Sequence, residues 1–255
     1  MHLQHNYYYY NSVISKFDCD KIINLGKSKI KALKDQGIDT TAVTFGDKQK
    51  NSNSNSKPLN DKNYNDLKQK GENSKDFYVR DSEICWLTED WIYDLILPLV
   101  RQANINAGWN YEWSTTEQFQ FTVYNSPGGF YGWHQDGGSD HHAIFKRYIH
   151  GVTNVPLRAN GNIPMGYTNV DEYVGKIRKL SLTLNLNGSD EYEGGNLMFD
   201  MGKHNEEKNQ FYECTEIREK GSLIVFPSYL HHCVTPVTKG TRYSLVLWCL
   251  GEAFK

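Results

Sequence analysis

The chain predicts an α+β fold that is mainly β, a double-sheet sandwich or jelly roll with helices packed against it. Two observations carry this reading. Beyond residue 115, short apolar-polar alternations recur between Gly and Pro turns. Before them stand two amphipathic helical stretches, placed to cover one face of a sheet. At 255 residues the chain is long enough to bury one full core, so a single domain is expected over 1–255. Residues 1–115 would be the support and 116–250 the β core.

Residues 7–10, four tyrosines, open with a strand. Asp18 is placed to cap a helix whose stripe is Cys19, Ile22, Ile23, Gly26, Ile30 and Leu33, closed by Gly37. Thr41, Val43 and Phe45 alternate as a short strand. Residues 46–76 are then almost wholly Lys, Asn, Ser, Asp and Gln, with Tyr64 and Leu67 as sparse anchors. Such a segment cannot repay its ordering entropy alone and is expected to be a mobile loop. Strand character returns at 77–87, and a second helix from about Thr88 places Trp91, Leu95, Leu99 and Ala103 on one side. Pro98 predicts a kink or break in it.

The central strand follows. Phe119, Phe121 and Val123 point one way, while Gln118, Gln120, Thr122 and Tyr124 point the other. Asn125-Ser126-Pro127-Gly128-Gly129 breaks it. Residues 137–175 lack sustained periodicity, and their tandem His141-His142 read as solvated loop residues. From residue 177 the strands resume. Leu180, Leu182, Leu184 and Leu186 alternate with polar neighbours, 202–209 reads as a hairpin tip, and 221–227, 230–237 and 240–248 complete the set.

Composition narrows the function. Lys+Arg 28 against Asp+Glu 30 gives a net charge of -2, no electrostatic footprint for nucleic acid. Five Cys without close spacing argue against a disulfide scaffold. The first residues carry no basic-then-apolar leader, and no apolar run reaches membrane-spanning length. A soluble, cytoplasmic protein without membrane contact is expected.

The chemistry begins at His134-Gln135-Asp136. Two residues apart on extended chain, the imidazole and carboxylate share a face and supply two legs of a 2-His-1-carboxylate site. His-x-Asp by itself is a weak pattern and needs a third ligand from elsewhere. Two adjacent candidates, His231 and His232, stand on a later strand, where they face opposite sides. Arg242 adds a guanidinium that pairs bidentately with carboxylates, and Ser244 lies on its face of the strand.

Taken together, Tyr124, Gly128-Gly129, His134-x-Asp136, Gly194-Gly195-Asn196-Leu197-Met198-Phe199, His232-x-Val234-x-Pro236-Val237 and Gly240-x-Arg242 resemble a known family. It is the prolyl-4-hydroxylase-like branch of the 2-oxoglutarate- and Fe(II)-dependent dioxygenases, and the stretch 180–199 with the tail looks most like the PKHD-type hydroxylases. The resemblance implies a double-stranded β-helix (jelly-roll, cupin-like) core with supporting N-terminal helices. It implies Fe(II) on His134, Asp136 and His232, since the family register selects His232 over His231. It further implies Arg242 on the distal carboxylate of 2-oxoglutarate, with Ser244 and Tyr124 facing the cosubstrate. Asn185 stands where some relatives carry a second cosubstrate Tyr.

The implied reaction is hydroxylation of an unactivated C–H bond by O2, with succinate and CO2 as co-products and ascorbate as a reductant. Peptidyl proline is the first implied substrate and a free amino acid or small metabolite the second. The polar loop 46–76 would fold over the peptide. A non-catalytic jelly-roll binding module is the rival class, but it has no need of Asp136, His232 and Arg242 together.

Overall fold

The computed structural model describes residues 5–42, 57–58, 77–78, 80–137, 144–157, 163–164, 166–201 and 211–254. The expected loop 46–76, apart from Lys57–Pro58, lies outside the described residues, as do Val43, Phe45, His141-His142 and the hairpin tip 202–209. Thr41 forms a lone bridge to Glu83.

The first helix is Lys16–Asp35, and its N-cap is Ser15 rather than Asp18. The Ser15 hydroxyl accepts from the Asp18 N–H at 3.0 Å, which leaves Asp18 inside the first turn, where a carboxylate opposes the positive helix end. At the other end Gly37 takes φ +73°, and the Gly37 and Ile38 N–H groups close back on the Lys34 and Leu33 carbonyls. The second helix, Asp90–Asn106, runs through Pro98 without the expected break. Ile92, Ile96, Val100 and Ala103, all fully buried, press it onto the sheet along its whole length. That burial outweighs the roughly 3 kcal/mol an interior proline costs a helix.

The major sheet has eight strands, with Val237–Glu252 as its axis. Lys176–Asn185 pairs along one side of this strand and Phe119–Asn125 along the other, both antiparallel. Leu223–Pro227 and then Tyr8–Tyr10 extend the first side, and Glu83–Leu87 extends the second. The minor sheet has the order Phe211–Cys214, Leu197–Asp200, His232–Val234, Phe130–His134, Arg80–Asp81. This is the two-sheet, mainly β jelly-roll plan, with both helices outside the major sheet.

Strand alternation divides the interior in two. Phe119, Phe121, Leu180, Leu182, Leu184, Leu245 and Leu247 meet Ile22, Ile92 and Ile96 of the helices in one core. A second, smaller core lies between the sheets and joins Tyr124, Ile224, Phe226 and Val237 to Leu197, Phe199 and Val234. The polar residues that alternate with the first set, Gln120, Thr122, Ser181, Thr183 and Ser244, are buried as well. They face the second sheet rather than water. An apolar-polar alternation here marks two interiors of different chemistry.

The helix-sheet contact is closest at Gly26, where an added Cβ would come within 2.4 Å of the Phe121 ring. Gly26→Val is expected to lower stability by about 3 kcal/mol, the upper part of the range for overpacked cores. The midpoint of chemical denaturation measures this, and an unchanged midpoint would show that the contact is slack.

Candidate metal centre

Two strands of the minor sheet bring the first two imidazoles together. His134 ends Phe130–His134, His232 begins His232–Val234, and the two residues are direct antiparallel partners. Asp136 follows His134 by two residues and turns its carboxylate between the rings. Its Oδ1 is 3.5 Å from His134 Nε2 and its Oδ2 3.6 Å from His232 Nε2. The ligand-capable atoms of the three residues lie within 4.8 Å of one another.

Each ring is held by its other nitrogen. The His134 Nδ1–H donates to the Gly132 carbonyl at 2.8 Å, and the His232 Nδ1–H to the Leu230 carbonyl at 2.9 Å. That tautomer is assigned from the carbonyl partners, and it leaves both Nε2 lone pairs aimed at the point Asp136 also faces. Stacking on Tyr131 fixes the His134 ring, and Phe226 packs edge-on to His232. Burial, with His134 beside it, pushes the His232 imidazole down to about 4, so at neutral pH it is an unprotonated donor. Burial opposes the Asp136 charge, but His232, His134 and Arg178 around it hold its carboxyl well below the usual carboxylate range. Two imidazole nitrogens and one carboxylate on one side of a point, with the opposite side open to a cleft, fit a divalent transition metal such as Fe(II).

His231 belongs elsewhere. Its Nδ1 lies 3.6 Å from Asp200 Oδ2 and its ring sits beside Trp133, on the other face of the strand.

The cleft beside the triad contains Arg242, only 2% exposed on the axial strand, directly across from Tyr124. Among the described residues its guanidinium has no carboxylate and no hydrogen-bond acceptor, and it lies over the Tyr124 ring, 5.5 Å from its centre. A buried cation that the protein leaves without a counter-charge is costly. It calls for an anionic ligand. Gly195 makes room for it, since a Cβ there would lie 3.0 Å from Arg242 Cδ. Ser244, Tyr124 and Thr183 line the same cleft, with Leu197 and Val246 as apolar wall.

Asn185 departs from expectation. Its amide nitrogen donates to the Asn187 and Arg218 carbonyls, its oxygen faces the Tyr192 hydroxyl at 3.3 Å, and it does not line the cleft. The residue is committed to bracing a loop, and Thr183, two positions earlier, presents its side chain instead.

Three residues in or behind the cleft carry no motif. Arg178 grips Glu117 in a two-pronged ion pair, at 2.5 Å through Nε and 2.8 Å through Nη2, and lies over the Trp248 ring. Its Nη1 donates to the Asp136 carbonyl at 3.4 Å. Trp248 lines the cleft with a buried indole N–H that has no acceptor among the described residues. Arg80 donates to Gln120 and covers Tyr131. A basic pair, Arg178-Lys179, opening an otherwise buried strand was the available signal for the first of these.

Residues 119–250 match the family model described as the 2OG-Fe(II) oxygenase superfamily. A PKHD-type hydroxylase of Synechococcus sp. (strain CC9605) is 41% identical over 71 residues, 28% of this chain and 29% of that protein. One from Klebsiella pneumoniae is 31% identical over 124 residues, 48% of this chain and 38% of its own length. The chain thus aligns with well under half of each of these relatives. Among solved structures, the 2OG complex of a viral collagen prolyl hydroxylase from Paramecium Bursaria Chlorella virus-1 matches with TM-score 0.53 and 16% identity, over 97% of both chains. A Trichoplax adhaerens prolyl hydroxylase, in complex with a peptide fragment of the hypoxia inducible factor oxygen degradation domain, matches with TM-score 0.51 and 14% identity, over 96% of this chain and 83% of that one. These two likenesses concern the fold. The family match covers the whole axial strand as far as Leu250 and every residue of the triad, and on it the chain belongs to the 2OG-Fe(II) oxygenase superfamily.

Proposed function

We propose that this chain, acting as one catalytic domain, is a 2-oxoglutarate- and Fe(II)-dependent dioxygenase that hydroxylates a prolyl residue in a peptide or protein. The observation that carries the reaction class is the buried, unpartnered Arg242 guanidinium in the cleft that also holds the His134-Asp136-His232 cluster. A site for metal alone has no use for that cation. A dicarboxylic cosubstrate that also reaches the metal does.

Each residue then has a task. His134, Asp136 and His232 hold Fe(II). Arg242 takes the distal carboxylate of 2-oxoglutarate through its planar fork, Ser244 adds a hydroxyl, and Tyr124 forms the wall beside it. Leu197, Val234 and Val246 keep water from the reacting end. Bound iron, 2-oxoglutarate and O2 together supply the oxidising chemistry that adds one oxygen to a C–H bond, with succinate and CO2 released. The Trp248 N–H and Arg80 face the cleft as donors available to a substrate carbonyl. The prolyl substrate is supported by the PKHD-type relatives and by prolyl hydroxylases among the fold neighbours, one of them solved with a peptide.

Incubation with Fe(II), 2-oxoglutarate and proline-containing peptides, read by mass spectrometry, tests this reading. One added oxygen on proline with matching succinate is expected. Succinate formed with a free amino acid, and none with any peptide, would move the substrate to the small-metabolite class.

His232→Ala is expected to abolish metal-dependent turnover, while His231→Ala retains it; calorimetric titration with Mn(II) reports the same split without activity. Arg242→Ala is expected to leave metal affinity intact and raise the 2-oxoglutarate KM by 30-fold or more, in line with the roughly 2–5 kcal/mol lost when one member of a buried charged pair is removed. Arg242→Lys should recover only part, because an ammonium lacks the planar fork. An unaltered KM in Arg242→Ala would take this residue out of the site.

A further inference from the structure

A second cavity, of about 840 Å³, shares no lining residue with the metal cleft. Its walls are Trp109, Tyr111, Trp113, Tyr229 and Phe254, and Lys179 enters among them. A volume of this size suits a small organic ligand. The two sites touch through the backbone. Gln135, between the first two triad residues, donates its side-chain amide to the Tyr229 carbonyl at 2.6 Å, and the Tyr229 hydroxyl meets that of Tyr111 at 3.1 Å.

Lys179 is placed there by a local irregularity. Arg178 pairs with Leu250 and Leu180 with Cys249, so Lys179 is an extra residue bulged out of the ladder. A bulge re-aims a side chain. Arg178 turns to Glu117 and the Asp136 backbone, and Lys179 to the aromatic cavity. A lysine ordinarily carries its ammonium out to water, yet Lys179 is 5% exposed and lies 3.5 Å from the centre of the Phe254 ring. Among the described residues it has neither an ion-pair nor a hydrogen-bond partner. Glu112 and Glu252 stand at the rim, exposed, where solvent screens them. The one desolvated charge in the wall is therefore positive. Burial lowers the Lys179 pKa against the opposing charges of Glu112 and Glu252, and an incoming anion would offset the burial further.

We propose that this cavity is a second binding site, for a small molecule with a flat apolar body and a carboxylate. The ring enters among Tyr111, Tyr229 and Phe254, and the carboxylate reaches the Lys179 ammonium. The occupant is distinct from the cosubstrate, whose cleft is built on Arg242.

Calorimetric titration of the full chain with 3-phenylpropionate and with its uncharged analogue 3-phenylpropanamide, both with Mn(II) and excess 2-oxoglutarate present, tests this. The acid is expected to bind about tenfold tighter than the amide, the scale of one charge-assisted hydrogen bond in a partly buried site. Lys179→Met should remove the difference and keep the amide affinity, whereas Lys179→Arg should retain the preference. Phe254→Ala, a change on the exposed rim, should weaken both ligands and provides a check independent of any folding defect in Lys179→Met. Equal binding of acid and amide, no binding of either, or a preference that persists in Lys179→Met would each overturn the proposal. So would displacement of the acid by 2-oxoglutarate, which would place it in the metal cleft.

Discussion

The antiparallel pairing of His232 with His134 is the contact on which the site depends. These residues are about 100 positions apart in the chain, and only the sheet register makes them neighbours. Because side chains alternate with period two, a slip of one residue would put His231 in place of His232 and turn the His232 imidazole to the face of Asp200 and Trp133. The rest of the minor sheet holds that register. Leu197–Asp200 pairs with the other edge of His232–Val234, and the Phe199 and Phe226 rings fill the space behind the His232 ring.

The same period organises the major sheet. On Lys176–Asn185 the leucines face the helices, and Ser181 and Thr183 face the minor sheet. On the axial strand Leu245 and Leu247 do the first, and Arg242, Ser244, Val246 and Trp248 the second. One face supplies stability by burying apolar area and the other presents functional groups. Charges on the second face are handled unequally. The Arg178 guanidinium is neutralised inside the protein by Glu117, which fixes it as a strut under the Asp136 backbone. Among the described residues Arg242 has no such partner, and its charge is open to a ligand. An internally paired arginine supports a site; an unpaired one receives something.

Much of this was legible in the sequence because the metal ligands, the Gly-Gly turn and Arg242 fall in short blocks whose spacing is set by strands and tight turns. Gly194 illustrates why: it takes φ +72° and a Cβ would come within 2.2 Å of the Pro236 carbonyl, so only glycine serves at that crossing. Local signals also placed both helices, but Ser15 competed with Asp18 for the cap, and propensity gave Pro98 more weight than tertiary burial allowed. Less legible were contacts made between distant strands. Arg80, Glu117, Arg178 and Trp248 each look like ordinary strand residues, and their roles arise only when the sheets face each other. Asn185 was misread for a related reason. Alignment fixes its position on a strand but not the partners its amide finds, and here those partners are the loop carbonyls of Asn187 and Arg218.

The central claim is that one cleft joins a three-residue metal site to an arginine reserved for a dicarboxylate. Anaerobic calorimetry with Fe(II), followed by 2-oxoglutarate, tests it most directly. The account predicts one Fe(II) per chain and 2-oxoglutarate binding that is strong only after the metal is in place, because the ligand spans both partners. Equal affinity of 2-oxoglutarate for the metal-free and metal-loaded protein would contradict it, since the keto acid would then be held without reaching the metal.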